Sequence, residues 1–131
     1  MSPLKKFITL TLSLFSSVLF ANETPEISQQ NLLSALQKNS HNIVVLDVRT
    51  AEEYSNGHIE NAINVSHNTI ADQLTHLSQY KDKTVVLYCR SGYRAGIAGN
   101  ILTKNGFTNL QHLTGDMNGW LEAKLPVIIG N

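Results

Sequence analysis

The chain has 131 residues, 42% of them hydrophobic and 15% charged, which suits one globular domain with a single core and leaves no room for a second. Its 10 basic residues equal its 10 acidic residues in number. Apart from one pair, the basic side chains are scattered along the chain rather than clustered on a basic face, so we expect no nucleic-acid partner.

The N-terminal segment is predicted to be a secretory signal peptide. Lys5 and Lys6 precede an apolar run at 7–21, which is shorter than the roughly 20 residues that a membrane-spanning helix needs. We expect residues 1–21 to be the signal, residues 22–27 a linker and residues 28–131 the folded domain. Without the two lysines the mature protein has 8 basic and 10 acidic residues. We expect it to be exported, periplasmic if the source is Gram-negative, and not stably associated with a membrane.

Helices and strands are predicted to alternate from the start of the domain. Ser28 is placed to cap a helix with one apolar face, and the β-branched run at 43–48 predicts a strand buried on both faces of a sheet. Residues 50–53 have the pattern of a capping box and begin a short helix. A second short strand is predicted at 62–65, and apolar residues spaced by three and four predict a helix at 69–79.

The same alternation continues to the end of the chain. We predict a strand at 84–88, a helix from residue 95 to the Asn-Gly pair at 105–106, a last strand at 109–113, and a final helix at 115–125. Strands alternating with helices predict an α/β fold with a mostly parallel central sheet flanked by helices.

Cys89 is the only cysteine of the chain and directly follows the strand predicted at 84–88. Parallel sheets bind ligands at the carboxyl ends of their strands, so this position favours a functional role. One cysteine cannot form an internal disulfide, which leaves a free thiol in an oxidising compartment. The alternative is a buried structural cysteine, with Arg90 and Arg94 as solvated surface residues.

The residues after Cys89 favour a reactive thiolate. An ordinary cysteine thiol is only a few per cent ionised at pH 7, so a nucleophilic cysteine needs groups that stabilise its anion. Gly92 allows the loop to curl its N–H groups around the sulfur, and the next helix begins near Ala95. The charges of Arg90 and Arg94 add to this effect and can bind a small oxyanion. The loop therefore predicts a charged, solvent-reachable sulfur that faces an anionic substrate.

Three stretches resemble the rhodanese-like single-domain sulfurtransferases: LDVRTAEEYSNGHIENAINV at 46–65, VVLYCRSGYRA at 85–95 and LTGDMNGW at 113–120. The first has the order and spacing of the family signature D-x-R, E-[FY], G-H-I, A, and the second resembles its active-site loop. Gly115 and Asp116 stand where the family commonly has two adjacent glycines, and we expect Asp116 to narrow or recharge the mouth of the pocket. The resemblance implies a rhodanese-like three-layer sandwich.

The resemblance also implies a mechanism. A cysteine thiolate attacks the outer sulfur of a small anionic donor such as thiosulfate, becomes a persulfide, and passes that sulfur to cyanide or an acceptor thiol without a metal or other cofactor. The loop amides stabilise the thiolate and the persulfide, and the arginines neutralise the donor. The implied site has Cys89 as the nucleophile, Arg90, Ser91, Gly92, Tyr93 and Arg94 as the substrate-binding loop, and Asp47 and Arg49 as supporting residues.

Other functions remain open on the sequence alone. One alternative is the phosphatase branch of the fold, or arsenate reduction, in which five residues separate the cysteine from the arginine. Here four residues separate Cys89 from Arg94, so the loop encloses a smaller pocket. A persulfide carrier or redox-sensing module without appreciable turnover needs the same thiolate. The histidines are not spaced as metal ligands, so we expect no metal site, and His58 is expected to be hydrogen-bonded inside the fold.

Overall fold

The computed structural model describes residues 3–4, 24–38 and 41–131. Strands and helices alternate along this part of the chain, as predicted. The strands are β1 (Glu26–Ile27), β2 (Ile43–Asp47), β3 (Ile63–Asn64), β4 (Thr84–Tyr88) and β5 (Leu110–Leu113). The α-helices are α1 (Gln29–Gln37), α2 (Ala51–Asn56), α3 (Leu74–Leu77), α4 (Tyr93–Lys104) and α5 (Asp116–Glu122).

The strands of the described residues form one sheet in the order β1-β5-β4-β2-β3, and all neighbouring strands are parallel. The two longest strands, β2 and β4, are neighbours, and their register pairs Asp47 with Tyr88. Both strands therefore end at the same level. Cys89 follows Tyr88 at this carboxyl edge of the sheet, where parallel α/β folds bind their ligands.

Helices cover both faces of the sheet. Side chains of α4, among them Leu102, pack with Leu87 on one face. On the other face Leu32 of α1 and Trp120 of α5 pack with Val86. Because successive residues of a strand point to opposite faces, β4 contributes to both clusters and is buried on both sides. This arrangement is the predicted three-layer α/β sandwich.

Two helices begin at the predicted capping residues. The Ser28 side-chain oxygen accepts the Asn31 N–H at 3.1 Å at the start of α1. At the start of α2, the Thr50 hydroxyl oxygen accepts the Glu53 N–H at 3.2 Å, and the Glu53 carboxylate accepts the Thr50 N–H at 3.2 Å. The two hydrogen bonds between Thr50 and Glu53 form the reciprocal capping box that the sequence predicts.

The segment before α1 differs from the sequence-based expectation. Glu26 and Ile27 lie in the expected linker, yet they form the edge strand β1, in which Ile27 pairs with Leu113 of β5. The Thr114 N–H also donates to the Ile27 carbonyl at 3.0 Å. Two residues are too short a run to show a strand pattern, so this pairing is visible only once β5 is in place.

The helix predicted at 69–79 is divided in the structure. A 3-10 helix at His67–Gln73 precedes α3, and a 3-10 turn at Ser78–Tyr80 follows it. Ile70 and Leu77 are still fully buried. Apolar spacings of three and four fit both 3.0 and 3.6 residues per turn, so the pattern identifies the buried face and not the helix type.

The predicted signal peptide at 1–21 lies outside the described residues, apart from residues 3 and 4. Its removal, and the export that depends on it, therefore stay predictions. Among the described residues, no helix combines the length and the apolar character needed to cross a bilayer.

Candidate active site at the carboxyl edge of the sheet

Cys89 lies in the loop between β4 and α4, as the sequence predicts. Its Sγ accepts a hydrogen bond from the Gly92 N–H at 3.0 Å. The expectation of a solvent-reachable sulfur is not met, because Cys89 is only 1% exposed and packs in the apolar cluster that contains Val48 and Ala95. Tyr88 is buried on the α1 and α5 face of the sheet, and because successive residues alternate between faces, Cys89 points to the α4 face. The thiol therefore lies beneath its loop.

Gly92 gives the loop its shape. Its φ of +115° lies in the left-handed region, which favours glycine. A Cβ at this position would lie 3.3 Å from Asp116 Oδ2 and 3.4 Å from His112 Cε1. The loop thus needs glycine both for its conformation and for the close approach of two side chains.

The arginines of the loop have different surroundings. Arg94 forms a two-pronged ion pair with Glu53, with Nη1 to Oε1 at 2.6 Å and Nη2 to Oε2 at 2.9 Å. This hydrogen bonding lowers the pKa of Glu53 to about 2 and raises the pKa of Arg94 above its ordinary value. Arg90 is exposed. Arg94 is therefore already paired with Glu53, and an anionic substrate has to compete with Glu53 to bind it.

Ser91 and Tyr93 are exposed, as Arg90 is. Tyr93 is 79% exposed at the start of α4. Their predicted contribution to substrate binding rests on their backbone N–H groups.

Asp47 and Arg49 form a buried ion pair next to the loop. The Arg49 Nη2 donates to Asp47 Oδ2 at 2.6 Å and to the Gly57 carbonyl at 2.7 Å, and its guanidinium lies over the Tyr88 ring at 5.5 Å. Although burial by itself lowers it, hydrogen bonding to Asp47 holds the pKa of Arg49 above its ordinary value. Burial, aided by the Asp47 charge, raises the pKa of Tyr88. The pair ties the end of β2 to the turn after α2, consistent with the predicted supporting role.

A cleft of about 280 Å³ opens beside the loop. The cleft is lined by guanidinium groups, one carboxylate and an apolar wall. Among the described residues of the 90–94 loop, Arg90 lines it. The lining residues are Arg49, Glu53, Asn56, Gly57, Arg90, Met117, Asn118, Leu121 and Val127. Its apolar wall comes from α5 and the C-terminal segment, which the sequence analysis did not assign to the site.

Asp116 and His112 have contacts that the sequence analysis did not predict. Asp116 was expected at the mouth of the pocket, but it is 2% exposed, and its Oδ1 accepts the Cys89 N–H at 3.0 Å. His112 was not assigned to the site, but its Nε2 lies 2.8 Å from the same carboxylate oxygen. A histidine in the last strand, followed four residues later by an aspartate at the next helix start, was the available signal.

His58 is buried as expected. Its Nδ1 lies 2.9 Å from the Tyr54 carbonyl, and its ring stacks on the Tyr54 ring with centroids 3.7 Å apart. These contacts give it a structural role. Within the described residues, no group of three or more His, Cys, Asp or Glu side chains is arranged to hold a metal ion.

The fold and the site define a class of protein, a parallel α/β domain with a cysteine in the loop between a central strand and a helix. The chain belongs to the family described as "Rhodanese-like domain", whose model matches residues 28–123. This membership supports sulfurtransferase-type or related sulfur chemistry for the domain.

Two curated relatives are named tRNA uridine(34) hydroxylase. The protein of Buchnera aphidicola subsp. Baizongia pistaciae is 32% identical over 123 residues, which cover 85% of this chain and 39% of the relative. The protein of Photorhabdus laumondii subsp. laumondii is 39% identical over 74 residues, which cover 53% of this chain and 21% of the relative. The chain therefore spans less than half the length of these relatives.

Solved structures have the same fold. The BH2092 protein of Bacillus halodurans has a TM-score of 0.72 at 28% identity, covering 81% of this chain and 77% of its own. A rhodanese-related protein of Thermoplasma volcanium has a TM-score of 0.69 at 27% identity, covering 80% of this chain and 98% of its own. A thiosulfate sulfurtransferase of Pseudomonas aeruginosa has a TM-score of 0.71 at 20% identity, covering 82% of this chain and 21% of its own, a likeness of fold alone.

Proposed function

We propose that this protein is a sulfurtransferase that takes sulfur from a small anionic donor such as thiosulfate, carries it as a persulfide on Cys89, and passes it to cyanide or a thiol. The observation that carries the proposal is the hydrogen bond from the Gly92 N–H to the Cys89 sulfur at 3.0 Å. An N–H aimed at a sulfur stabilises its anion, and Arg90 and Arg94 follow in the same loop.

The transfer has two balanced steps. In the first, the Cys89 thiolate attacks the outer sulfur of thiosulfate, an S–S bond forms on the enzyme, and the S–S bond of the donor breaks with its electron pair leaving on sulfite. In the second, cyanide attacks the outer sulfur of the persulfide, thiocyanate leaves, and the Cys89 thiolate is restored. The first step replaces the S–S bond of the donor by that of the persulfide, and the second replaces the persulfide S–S bond by the S–C bond of thiocyanate, so no external oxidant or reductant is consumed.

The burial of Cys89 restricts the donor. Cys89 is only 1% exposed and is not accessible to a wide reagent, so the loop must move to admit the terminal sulfur of the donor. Arg90 is exposed beside the cleft and meets the anion first, whereas Arg94 becomes available as the anion displaces Glu53. We therefore expect a preference for small donors with a terminal sulfur over bulky organic persulfides.

Steady-state turnover of thiosulfate and cyanide, compared with Cys89→Ser, tests the proposal. The wild-type protein is expected to produce thiocyanate and, without cyanide, to gain the mass of one sulfur atom on the peptide that contains Cys89. The serine variant is expected to do neither while keeping the fold, because the two side chains have similar size. Equal turnover by the two proteins, or a sulfur gain elsewhere in the chain, would overturn the assignment of the nucleophile.

A persulfide carrier is the second candidate, and two observations favour it. Cys89 is 1% exposed and Arg94 is already paired with Glu53, and both features slow the repeated capture of a donor from solution. Complete loading of Cys89 with slow release to cyanide would favour the carrier. Many thiocyanate molecules per protein molecule would favour the enzyme.

We also propose that the protein is exported after removal of residues 1–21, to the periplasm if the source is Gram-negative. Lys5, Lys6 and the apolar run that follows support this proposal. The start residue of the mature protein, determined by mass spectrometry on the native source, tests it. A mature chain that begins at Met1 would contradict it.

A further inference from the structure

Asp116 and His112, from the start of α5 and from β5, lie against the Cys89 loop. Asp116 Oδ1 is shared by two partners, the Cys89 N–H at 3.0 Å and His112 Nε2 at 2.8 Å. The Asp116 side chain is 4% exposed and the His112 side chain 24% exposed. The carboxylate is therefore almost completely removed from water and depends on these two groups.

The same turn is fastened to the loop through the backbone. The Met117 N–H donates to the Cys89 carbonyl at 3.0 Å, and the Asn118 N–H donates to the Arg90 carbonyl at 3.1 Å. Asp116 itself has a φ of +52°, a left-handed conformation that aspartate tolerates better than most residues. This conformation, together with two hydrogen bonds to the Asp116 side chain and two from the backbone of the next residues, indicates that the position of the carboxylate matters for the site.

Gly92 contacts both the sulfur and the carboxylate. Its N–H is 3.0 Å from the Cys89 sulfur, and a Cβ on it would be 3.3 Å from Asp116 Oδ2. A negative charge on Asp116 thus lies across one glycine from the negative charge of a Cys89 thiolate. Like charges at this range oppose each other, so the carboxylate needs a cation if the thiolate is to persist.

His112 is placed to be that cation. Hydrogen bonding to Asp116 raises the pKa of His112, the charges of Asp116 and Glu26 raise it further, and partial burial opposes them. The charged groups that act on His112 are Asp116, from the start of α5, and Glu26, its register partner on β1. The pair is neutral overall while His112 is protonated and becomes negative as pH rises through the raised pKa.

We propose that His112 and Asp116 form a charge-compensated positioning pair for Cys89, in which Asp116 holds the loop through the Cys89 N–H and protonated His112 cancels the charge of the carboxylate. The proposal rests on the proposed function, because the pair matters for a sulfur that works as an anion. Neither residue touches the donor. Both act through Cys89 on the fraction of thiolate present.

Two variants that change charge and preserve hydrogen bonding test the pair. Asp116→Asn keeps an acceptor for the Cys89 N–H and tolerates positive φ. It removes the carboxylate charge together with the hydrogen bond that keeps His112 protonated, so the midpoint of the thiolate titration is expected to stay close to that of the wild type. His112→Gln keeps a side-chain donor for Asp116 and is expected to raise the midpoint by about one pH unit. The double variant is expected to return toward the wild-type midpoint.

The titration is followed by ultraviolet thiolate absorbance and by the pH dependence of alkylation, neither of which requires sulfur transfer. His76→Gln, on the exposed surface of α3, is the matched control and should leave the midpoint unchanged. Circular dichroism identifies a variant that does not fold; His112→Asn then replaces His112→Gln, and the double variant replaces Asp116→Asn.

The possible outcomes separate the two proposals. A midpoint that rises in His112→Gln but not in Asp116→Asn supports the positioning pair, even if thiocyanate is never produced, in which case the proposed function alone fails. Normal turnover with no rise in His112→Gln, or an equal rise in both variants, would overturn the pair and leave the proposed function standing.

Discussion

The ion pair between Glu53 and Arg94 connects the stability of the domain to its affinity for an anion, and Glu53→Gln tests both. Glutamine keeps the capping box at the start of α2, because an uncharged amide can accept the Thr50 N–H as the carboxylate does. The substitution removes the charge that binds Arg94 at 2.6 and 2.9 Å. We expect a small loss of stability and a gain in affinity for thiosulfate.

The magnitude follows from the pKa of Glu53, which Arg94 lowers from the ordinary 4.5 to about 2. At about 1.4 kcal/mol per pKa unit, this fall in pKa sets an upper bound of about 3 kcal/mol on the contribution of the ion pair to the free energy of unfolding. The two side chains are 30% and 22% exposed, so solvent screening reduces the contribution to about 1 kcal/mol. The bound anion no longer has to displace Glu53 from Arg94 in this variant. A gain of about 1 kcal/mol in the free energy of binding corresponds to a KM for thiosulfate about fivefold lower.

Denaturant unfolding as a function of pH is the assay for stability. Because the pKa of Glu53 is lowered by folding, its stabilising effect is present above the ordinary pKa and is lost as pH falls toward about 2. Wild type is expected to exceed Glu53→Gln by about 1 kcal/mol at pH 7, and the two are expected to converge in acid. Glu52→Gln, exposed in the same helical turn, is the control for a general loss of negative charge.

Either of two results would refute this reasoning. An equal stability difference at pH 7 and in acid would show that the Glu53 charge is not its source. An unchanged or higher KM for thiosulfate in Glu53→Gln, with kcat retained, would show that Arg94 does not bind the donor.

Three further substitutions test the loop and its support, each by thermal or denaturant unfolding and by thiocyanate production. Asp47→Asn leaves the Arg49 guanidinium, 5% exposed, without a counter-charge and is expected to cost about 3–5 kcal/mol; a loss below 1 kcal/mol would show that the buried pair is dispensable. Gly92→Ala places a Cβ 3.3 Å from Asp116 Oδ2 at a φ of +115° and is expected to cost about 1–3 kcal/mol and most of the activity, whereas wild-type turnover would contradict the described loop. Tyr88→Phe removes the hydroxyl oxygen that accepts a buried backbone N–H at 3.2 Å and is expected to cost about 1–3 kcal/mol with little change in KM; a stability equal to wild type would argue against that hydrogen bond.

Most of the fold was predictable because its signals are local. The apolar β-branched runs of β2 and β4, the capping residues Ser28 and Thr50, and the glycine-containing ends of helices each act within a few residues of the chain. The alternation of strands and helices then leaves few arrangements besides a parallel sheet with helices on both faces. The two-residue strand β1 was missed because its identity depends on pairing with β5, more than 80 residues away in sequence.

The site was predictable in part for the same reason. Cys89, Gly92 and the arginines are consecutive, so their loop could be identified from the sequence. The partner of Arg94 could not, since Glu53 belongs to α2 and reaches the loop only across the edge of the sheet.

The sequence by itself determined where the thiol lies along the chain, between a buried strand and a helix start, and which family the domain belongs to. Only the tertiary structure decided the charges that surround the thiol: Glu53 from α2 on Arg94, and Asp116 with His112 under the loop. The physical reason is that backbone conformation follows from near neighbours, whereas electrostatic energy depends on distance through space and burial. Both of these are set when β2, β4 and β5 bring their carboxyl ends together.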